Sequence, residues 1–344
     1  MSGRWRGWGG VATMAAACAL AVTGALVPLG CGSGDGDRDG GTGPVATGPQ
    51  APLEKAQYAW AQDDTTDNCD ASLSPSSGTL DGDAVRRITN RGLLRVGVDQ
   101  NSYLWGFRDP ASGQLSGFDI DIVKAIAKDL LGDSSKVQYL TVPTDQRIPM
   151  IQQGKVDMVV RTMTINCDRV NNKHVAFSTA YFHAGQQILA ARNSPITGYD
   201  ESLRGKTVCT AKGSTGETKL VEPPQGSGQS DAQRLGIKVL AVPNQLDCLV
   251  RLQLGLADAV FTDNALAAGQ AAQDPSVHLV GQPVTQEPYG VAMSDRDPDL
   301  VRRVNQVLAA YEAGGTGSSW MRSYDHWLAK GLGKTGGPPE PKYK

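Results

Sequence analysis

Arg161-Thr162-Met163-Thr164-Ile165-Asn166-Cys167-Asp168-Arg169 follows directly on the largely apolar run Val156-Asp157-Met158-Val159-Val160. A short run of this kind reads as a buried strand, and Asn166 ahead of Asp168 and Arg169 reads as the start of a helix. In open α/β sheets the junction between a strand and the helix after it is where ligands bind. Thr162 and Thr164 offer hydroxyls, a helix start offers free amides, and Arg169 offers a rigid planar fork of donors. Together they suit one carboxylate. Taken alone the segment reads better as an exposed turn with Arg169 paired to a neighbour, so the rest of the chain has to decide.

The 344 residues can hold two ordinary domains, and a net charge of −2 without a dense basic block excludes a nucleic-acid binder, whose partner's phosphates demand clustered Lys and Arg. The four His residues are scattered and no Cys-x-x-Cys pair occurs, so no metal site is expected. No complete phosphate-binding Gly-rich motif or Gly-x-Ser-x-Gly elbow is present; Gly333-Lys334-Thr335 has only the ending of the former.

At the N-terminus Arg4 and Arg6 precede an apolar stretch over residues 11–29 that ends at Gly30-Cys31, the pattern of a secretory signal. Leu29-Gly30-Cys31 resembles a lipobox with Cys31 as lipid acceptor, although Pro28 stands where Leu is usual. The Gly-, Asp-, Thr- and Pro-rich residues that follow read as a tether. Once Cys18 leaves with the signal and Cys31 takes lipid, Cys69, Cys167, Cys209 and Cys248 remain, enough for two bridges in an exported protein.

Beyond the tether a helical pattern over residues 80–90 leads into a strand at 93–98. A loop carrying Asp99, Tyr103 and Trp105 follows, then Gly117-Phe118-Asp119-Ile120-Asp121 and a helical apolar face through Leu131. Residues 137–142 read as a strand, 147–153 as a helix, 156–160 as the strand of the opening motif and 186–191 as another strand. A second unit repeats the rhythm. A strand at 205–209 meets the loop Gly213-Ser214-Thr215-Gly216 and a helix near Glu217; then come a strand at 237–242, a helix at 245–254 capped by Asn244, and a strand at 257–261 ending at Thr262-Asp263. Residues 283–292 look extended, and helices at 298–313 and 318–330 return to the first unit. Alternating strands and helices imply α/β architecture with predominantly parallel sheets and helices on both faces.

Leu94-Arg95-Val96-Gly97-Val98, Gly117-Phe118-Asp119-Ile120-Asp121, Thr162-Met163-Thr164 with Arg169, and Asp258-Ala259-Val260 with Asp263 resemble the extracellular solute-binding proteins of family 3, the polar amino-acid binders of ABC transporters. The likeness spans about residues 80–332 and is nearest to actinobacterial glutamine- and glutamate-binding lipoproteins, in which the placement of Cys209 and Cys248 and the Thr164-Ile165-Asn166-Cys167 variant also find parallels. The resemblance implies a type II periplasmic-binding-protein-like fold: two α/β lobes joined by two crossing strands, with the ligand cleft between them. Here the crossings would fall near residues 186–192 and 283–292. The chain would divide into a signal peptide (1–31), a tether and N-terminal extension (32–79), lobe 1 (80–187 plus 288–334), lobe 2 (188–287) and a tail (335–344).

By that likeness Arg169 and Thr164, with the backbone at Thr162, would hold an α-carboxylate and Asp263 an α-ammonium. Asp99, Tyr103 and Trp105 would line the lobe 1 side, and Ser214 and Thr215 the lobe 2 side. Asp263 could equally cap the next helix, and Trp105 could be core. Arg161 and Lys212 stand where similar glutamine binders often carry small neutral residues. Two extra cations suggest an acidic side chain, since a buried carboxylate needs a countercharge; as solvated rim residues they would only steer anions. The expected ligand is glutamate or aspartate ahead of glutamine, and these ahead of lysine or arginine. Four cysteines allow three pairings; the expectation is Cys209 with Cys248 and Cys69 with Cys167.

The resemblance thus implies a monomeric, lipid-anchored protein on the outer face of the cell membrane. It would need no cofactor, capture an L-amino acid and deliver it to an ABC permease. A sensing lipoprotein that signals to a membrane protein is the alternative. An enzyme of the same fold, a dehydratase, would need a general acid or base in the cleft. His183 and Glu217 are the nearest candidates, and neither belongs to a recognisable catalytic constellation.

Overall fold

The computed structural model describes residues 69–78 and 81–344; the signal, Cys31 and most of the tether lie outside the described residues. The helix expected at 80–90 runs over Asp83–Arg91 and ends at Gly92, whose left-handed backbone closes it on the Ile88 and Thr89 carbonyls. The strand Leu94–Val98 follows, and it lies between parallel neighbours, Val137–Thr141 on one side and Met158–Val159 on the other. Leu94–Val98 and Met158–Val159 are largely buried because both faces of the sheet are covered there, whereas the edge strand Val137–Thr141 stays partly exposed.

The first sheet is completed by Ala292–Ser294 and Val175–Phe177, giving the strand order 137–141, 94–98, 158–159, 292–294, 175–177. The second sheet has the same plan. Thr207–Ala211 lies between parallel neighbours Lys238–Val242 and Ala259–Asp263, and Gln186–Ala191 and Val277–Val280 extend it. In each sheet the first three strands pair in parallel, the fourth, Ala292–Ser294 or Gln186–Ala191, is antiparallel to both of its neighbours, and the fifth runs the same way as the first three. Four of the five strands in each sheet thus run the same way, in keeping with the expectation of predominantly parallel sheets, and a single reversed strand makes each sheet mixed. The reversed strand is the one that follows directly on a crossing, Gln186–Ala191 in the second sheet and Ala292–Ser294 in the first, so it arrives from the opposite end.

Connection of the sheets falls to a separate antiparallel pair, Phe182–Ala184 with Glu287–Tyr289. This relocates the first crossing, expected at 186–192. Gln186–Ala191 is an interior strand of the second sheet, almost wholly buried and hydrogen-bonded on both edges. Its long apolar run was suited to a core position, not to an exposed span.

The helix Phe118–Leu131 begins where Gly117, at φ +125°, lets the chain pass against the Trp105 carbonyl; a Cβ there would lie 2.3 Å from that oxygen. The Phe118 and Asp119 amides donate to the Leu104 and Trp105 carbonyls, so the helix start is satisfied internally. The helix Pro298–Glu312 packs back on the first lobe, whose core includes Trp105, Phe118, Ile122, Ile126, Leu308 and Trp320. The expected second C-terminal helix is split into Ser319–Trp327 and Ala329–Leu332. The second lobe has two smaller cores, one on each face of its sheet, around Phe261 and around Cys209 and Leu249. Cys69–Cys167 and Cys209–Cys248 are the disulfides, the pairing expected from the sequence.

Candidate functional site

The three parallel strands of each sheet end at a shared cleft, so the loops that follow them supply its walls. From the first lobe come Thr144 and Arg147 after strand 137–141, and Arg161, Thr162, Thr164 and Arg169 after strand 158–159. From the second come Ser214 and Thr215 after strand 207–211, Gln245 after strand 238–242, and Asp263 at the end of strand 259–263. Gln186 and Leu266 complete a largely polar, tightly closed cavity.

The segment Arg161–Arg169 forms the spine of this site. Thr162 adopts a left-handed backbone, φ +41°, and its amide donates to Asp119 Oδ2 at 3.1 Å. Asp119 also accepts the Tyr181 hydroxyl at 2.9 Å. Burial pushes this carboxyl up to about 7 against those two hydrogen bonds. Thr164 pairs with the returning crossing strand at Tyr289, and its hydroxyl donates to Glu287 Oε2 at 2.6 Å. Asn166 Oδ1 accepts the Arg169 amide at 3.0 Å, the capping role read from the sequence, although the turn that follows, Asp168–Asn172, is a π-type turn. The Arg169 guanidinium is buried and turns back to donate from Nη1 to the Thr164 carbonyl.

Arg147 is the second buried guanidinium whose hydrogen bonds run only to carbonyls: Nε to Thr144 at 2.9 Å, Nη1 to Arg161 at 3.4 Å and Nη2 to Gly213 at 3.2 Å. Burial, then the charges of Arg169 and Arg161, work against its proton. A guanidinium nevertheless stays charged in proteins. The cleft therefore holds positive charge that neighbouring carboxylates only partly offset, a setting that favours an anion.

Facing these cations, Asp263 accepts Gln186 Nε2 and the Tyr289 hydroxyl. Burial and the nearby charge of Glu287 raise its carboxyl to about 8. Glu287 gathers three threonine hydroxyls, those of Thr164, Thr215 and Thr285, at 2.6, 2.8 and 2.8 Å. Since Thr164 belongs to the first lobe and Thr215 to the second, this carboxylate ties both lobes to the crossing strand. Gln245 Oε1 and Gln186 Oε1 are buried acceptors without a protein partner.

Of the residues singled out from the sequence, Arg161, Thr162, Thr164, Arg169, Ser214, Thr215 and Asp263 lie together around the cavity. Asp99, Tyr103, Trp105 and Lys212 do not. Asp99 lies behind the wall, where it accepts the Gln100 and Asn101 amides and the Ser102 hydroxyl, with Arg161 Nη2 at 2.9 Å from Oδ2. Arg161 is thus a buried cation already matched by Asp99, although that nitrogen approaches off the hydrogen-bonding axis. Trp105 is core: it is fully buried and donates from Nε1 to the Ala265 carbonyl at 3.1 Å. Tyr103 packs edge-on against Phe107. Lys212, with a 64% exposed side chain, reaches Asp145 at 3.5 Å on the rim. The proposed enzymatic candidates also stand outside the cavity, with His183 exposed on the crossing strand and Glu217 accepting the Gly213 amide at 2.6 Å.

Arg147, Thr144, Gln186, Gln245 and Glu287 escaped the reading of the sequence. The rule that found Arg169 applies equally to the loop after residues 137–141 and would have reached Thr144 and Arg147. Glu287, a carboxylate inside an extended segment, carries the plainest missed signal, because an acid in a buried strand needs a partner.

Residues 94–330 match the family model of bacterial extracellular solute-binding proteins, family 3. The chain belongs to this family. Among curated relatives, the ABC transporter glutamine-binding protein GlnH of Bacillus subtilis (strain 168) is 37% identical over 247 residues, which cover 72% of this chain and 85% of the relative. The glutamine-binding protein of Geobacillus stearothermophilus is 38% identical over 222 residues, 64% of this chain and 78% of the relative. Among solved structures, an ancestral arginine-binding protein bound to glutamine is similar with a TM-score of 0.59 and 36% identity, covering 71% of this chain and 99% of that one. As a family 3 solute-binding protein, the chain has the two-lobed type II architecture, and its cavity lies between the lobes that the crossing strands join.

Proposed function

We propose that this protein captures an L-amino acid with a short acidic side chain, glutamate first, by closing its two lobes, and hands it to an ABC importer without chemical change. Arg169 takes the α-carboxylate, Asp263 takes the α-ammonium, and Arg147 takes the side-chain carboxylate. The proposal divides the lobes at the crossing strands 182–184 and 287–289, a few residues from the bounds first expected (80–187 plus 288–334, and 188–287), and anchors a monomer to the outer membrane face through lipid on Cys31.

Arg147 is the observation that carries this reading. Its guanidinium is buried against like charge and bonded only to carbonyls, so a ligand carboxylate relieves it and a ligand cation aggravates it. The acidic preference first drawn from Arg161 and Lys212 thus rests on a different residue. Glutamine is the second reading. The partnerless Gln245 Oε1 favours a ligand that donates N–H, and the relatives named glutamine-binding lie in the same family.

Calorimetry with L-glutamate, L-glutamine, L-aspartate and L-arginine separates them. We expect glutamate to bind tightest, Arg169→Ala to lose about a hundredfold because a buried charge pair is broken, and Arg147→Gln to shift preference toward glutamine. Tightest binding of glutamine by the wild type would select the second reading. Tightest binding of arginine would refute both.

A further inference from the structure

Three contacts join the lobes along one rim of the cleft. The Thr144 amide donates to the Pro243 carbonyl at 3.2 Å, Arg147 Nη2 donates to the Gly213 carbonyl at 3.2 Å, and Lys212 Nζ lies 3.5 Å from Asp145 Oδ2. Residues 144–147 belong to the first lobe, and 212, 213 and 243 to the second. At the centre of the rim the two backbones nearly touch. A Cβ on Gly213 would lie 2.8 Å from Asp145 Cα and 3.0 Å from its Cβ, and Gly213 holds φ +72°.

We propose that Gly213 and the Asp145–Lys212 pair are positioning residues for ligand capture: Gly213 is the stop against which the lobes close, and the ion pair is the latch that holds them. This rests on the reading of the protein as a binder that closes on its solute. Asp145 and Lys212 form no part of the cavity wall, so they act on closure and not on ligand choice. The Gly213 loop cannot yield, since its amide is held by Glu217 Oε2 at 2.6 Å and its carbonyl by Arg147. The obstacle is main chain, which cannot swing aside as a flexible side chain would. A methyl group there wedges the lobes apart at this rim.

Gly213→Ala also carries the strain of a positive φ, and Gly205 supplies the control. It lies in the same lobe at φ +71°, and an added Cβ would meet nothing within 4 Å. The test is calorimetric titration with the twenty L-amino acids, paired with small-angle scattering with and without saturating ligand. Gly213→Ala should weaken every ligand the wild type binds by one common factor, about tenfold or more, and leave the liganded chain wider. Gly205→Ala should stay within about twofold of wild type. Lys212→Met and Asp145→Asn should each weaken binding about two- to fivefold at low salt. The double variant should do no more than either alone, and the effect should fade at 0.5 M salt. Wild-type affinity in Gly213→Ala, an equal loss in Gly205→Ala, or losses that differ from ligand to ligand would overturn the proposal. If the wild type bound no amino acid while Gly213→Ala still scattered as the wider molecule, the functional reading would fail and the stop would stand.

Discussion

Asp263 is where the chemistry of capture becomes measurable at the scale of one residue. Burial, and then the charge of Glu287, hold its carboxyl up near 8, so at pH 7 the free protein keeps a proton there. An α-ammonium placed against it favours the ionised form, and binding then expels that proton. Titrations at pH 7 in two buffers of different ionisation enthalpy should therefore show net proton release approaching one per ligand, fading above pH 9 and lost in Asp263→Asn. Net proton uptake would contradict the assignment. Asp263 was legible because it ends an apolar strand at the carboxyl edge of a sheet. The same rule brought out Thr162, Thr164, Arg169, Ser214 and Thr215. It placed Arg161 at the cavity and Lys212 only at its rim, and it could not show that both are already paired, because whether a cation is free or matched depends on what folding brings near it. Asp99 and Asp145 are far away in sequence, and only the tertiary structure sets them against Arg161 and Lys212.

Among the elements, the start of helix Phe118–Leu131 controls the binding loop through Asp119, which reaches across to the Thr162 amide while Tyr181 braces its other oxygen. The folded-state pKa of about 7 lies above the unfolded value of 3.8, so between these limits the native state binds more protons than the unfolded chain. Stability should therefore fall as pH rises from about 4 to 7, by as much as roughly 4 kcal/mol from this group, and level off above. Asp119→Asn removes the titration. In urea melts it should begin less stable near pH 4.5, where the wild-type carboxyl is neutral and well bonded, and the gap should close toward pH 8. Parallel pH profiles for the two proteins would count against the assignment. Long buried strands such as 94–98, 186–191 and 259–263 were readable as apolar-rich runs. Strands 175–177, 182–184 and 277–280 were not, being only three or four residues long and specified by their partners more than by their own periodicity.

Over the whole molecule, the two ends of the described chain meet on the first lobe. Cys69 is bonded to Cys167 beside the binding loop, and the Ser74 hydroxyl donates to the Phe177 carbonyl at 2.8 Å and accepts Asn305 Nδ2 at 2.7 Å. The C-terminal tail then pairs with this anchored segment: the Ser74 amide donates to the Lys342 carbonyl and the Lys344 amide to the Ser74 carbonyl, each at 3.0 Å. On its way the tail passes Phe182, Trp320 and Tyr324, and Tyr324 donates to the Gly333 carbonyl at 3.0 Å. It contributes nothing to the walls of the ligand cavity. Removing residues 335–344 should therefore cost stability and not affinity. Two backbone hydrogen bonds and some apolar cover amount to about 1–3 kcal/mol. In a lobe of this size each kcal/mol shifts the melting temperature by about 2–4 °C. The truncated protein should melt several degrees lower and bind its amino acid within about twofold of the full chain, as read by calorimetry at 25 °C. A melting temperature equal to that of the full chain would show that the tail rests on the lobe without bracing it. A tenfold loss of affinity would show that bracing the first lobe also shapes the cleft, with the Cys69–Cys167 bridge beside Arg169 as the nearest physical route.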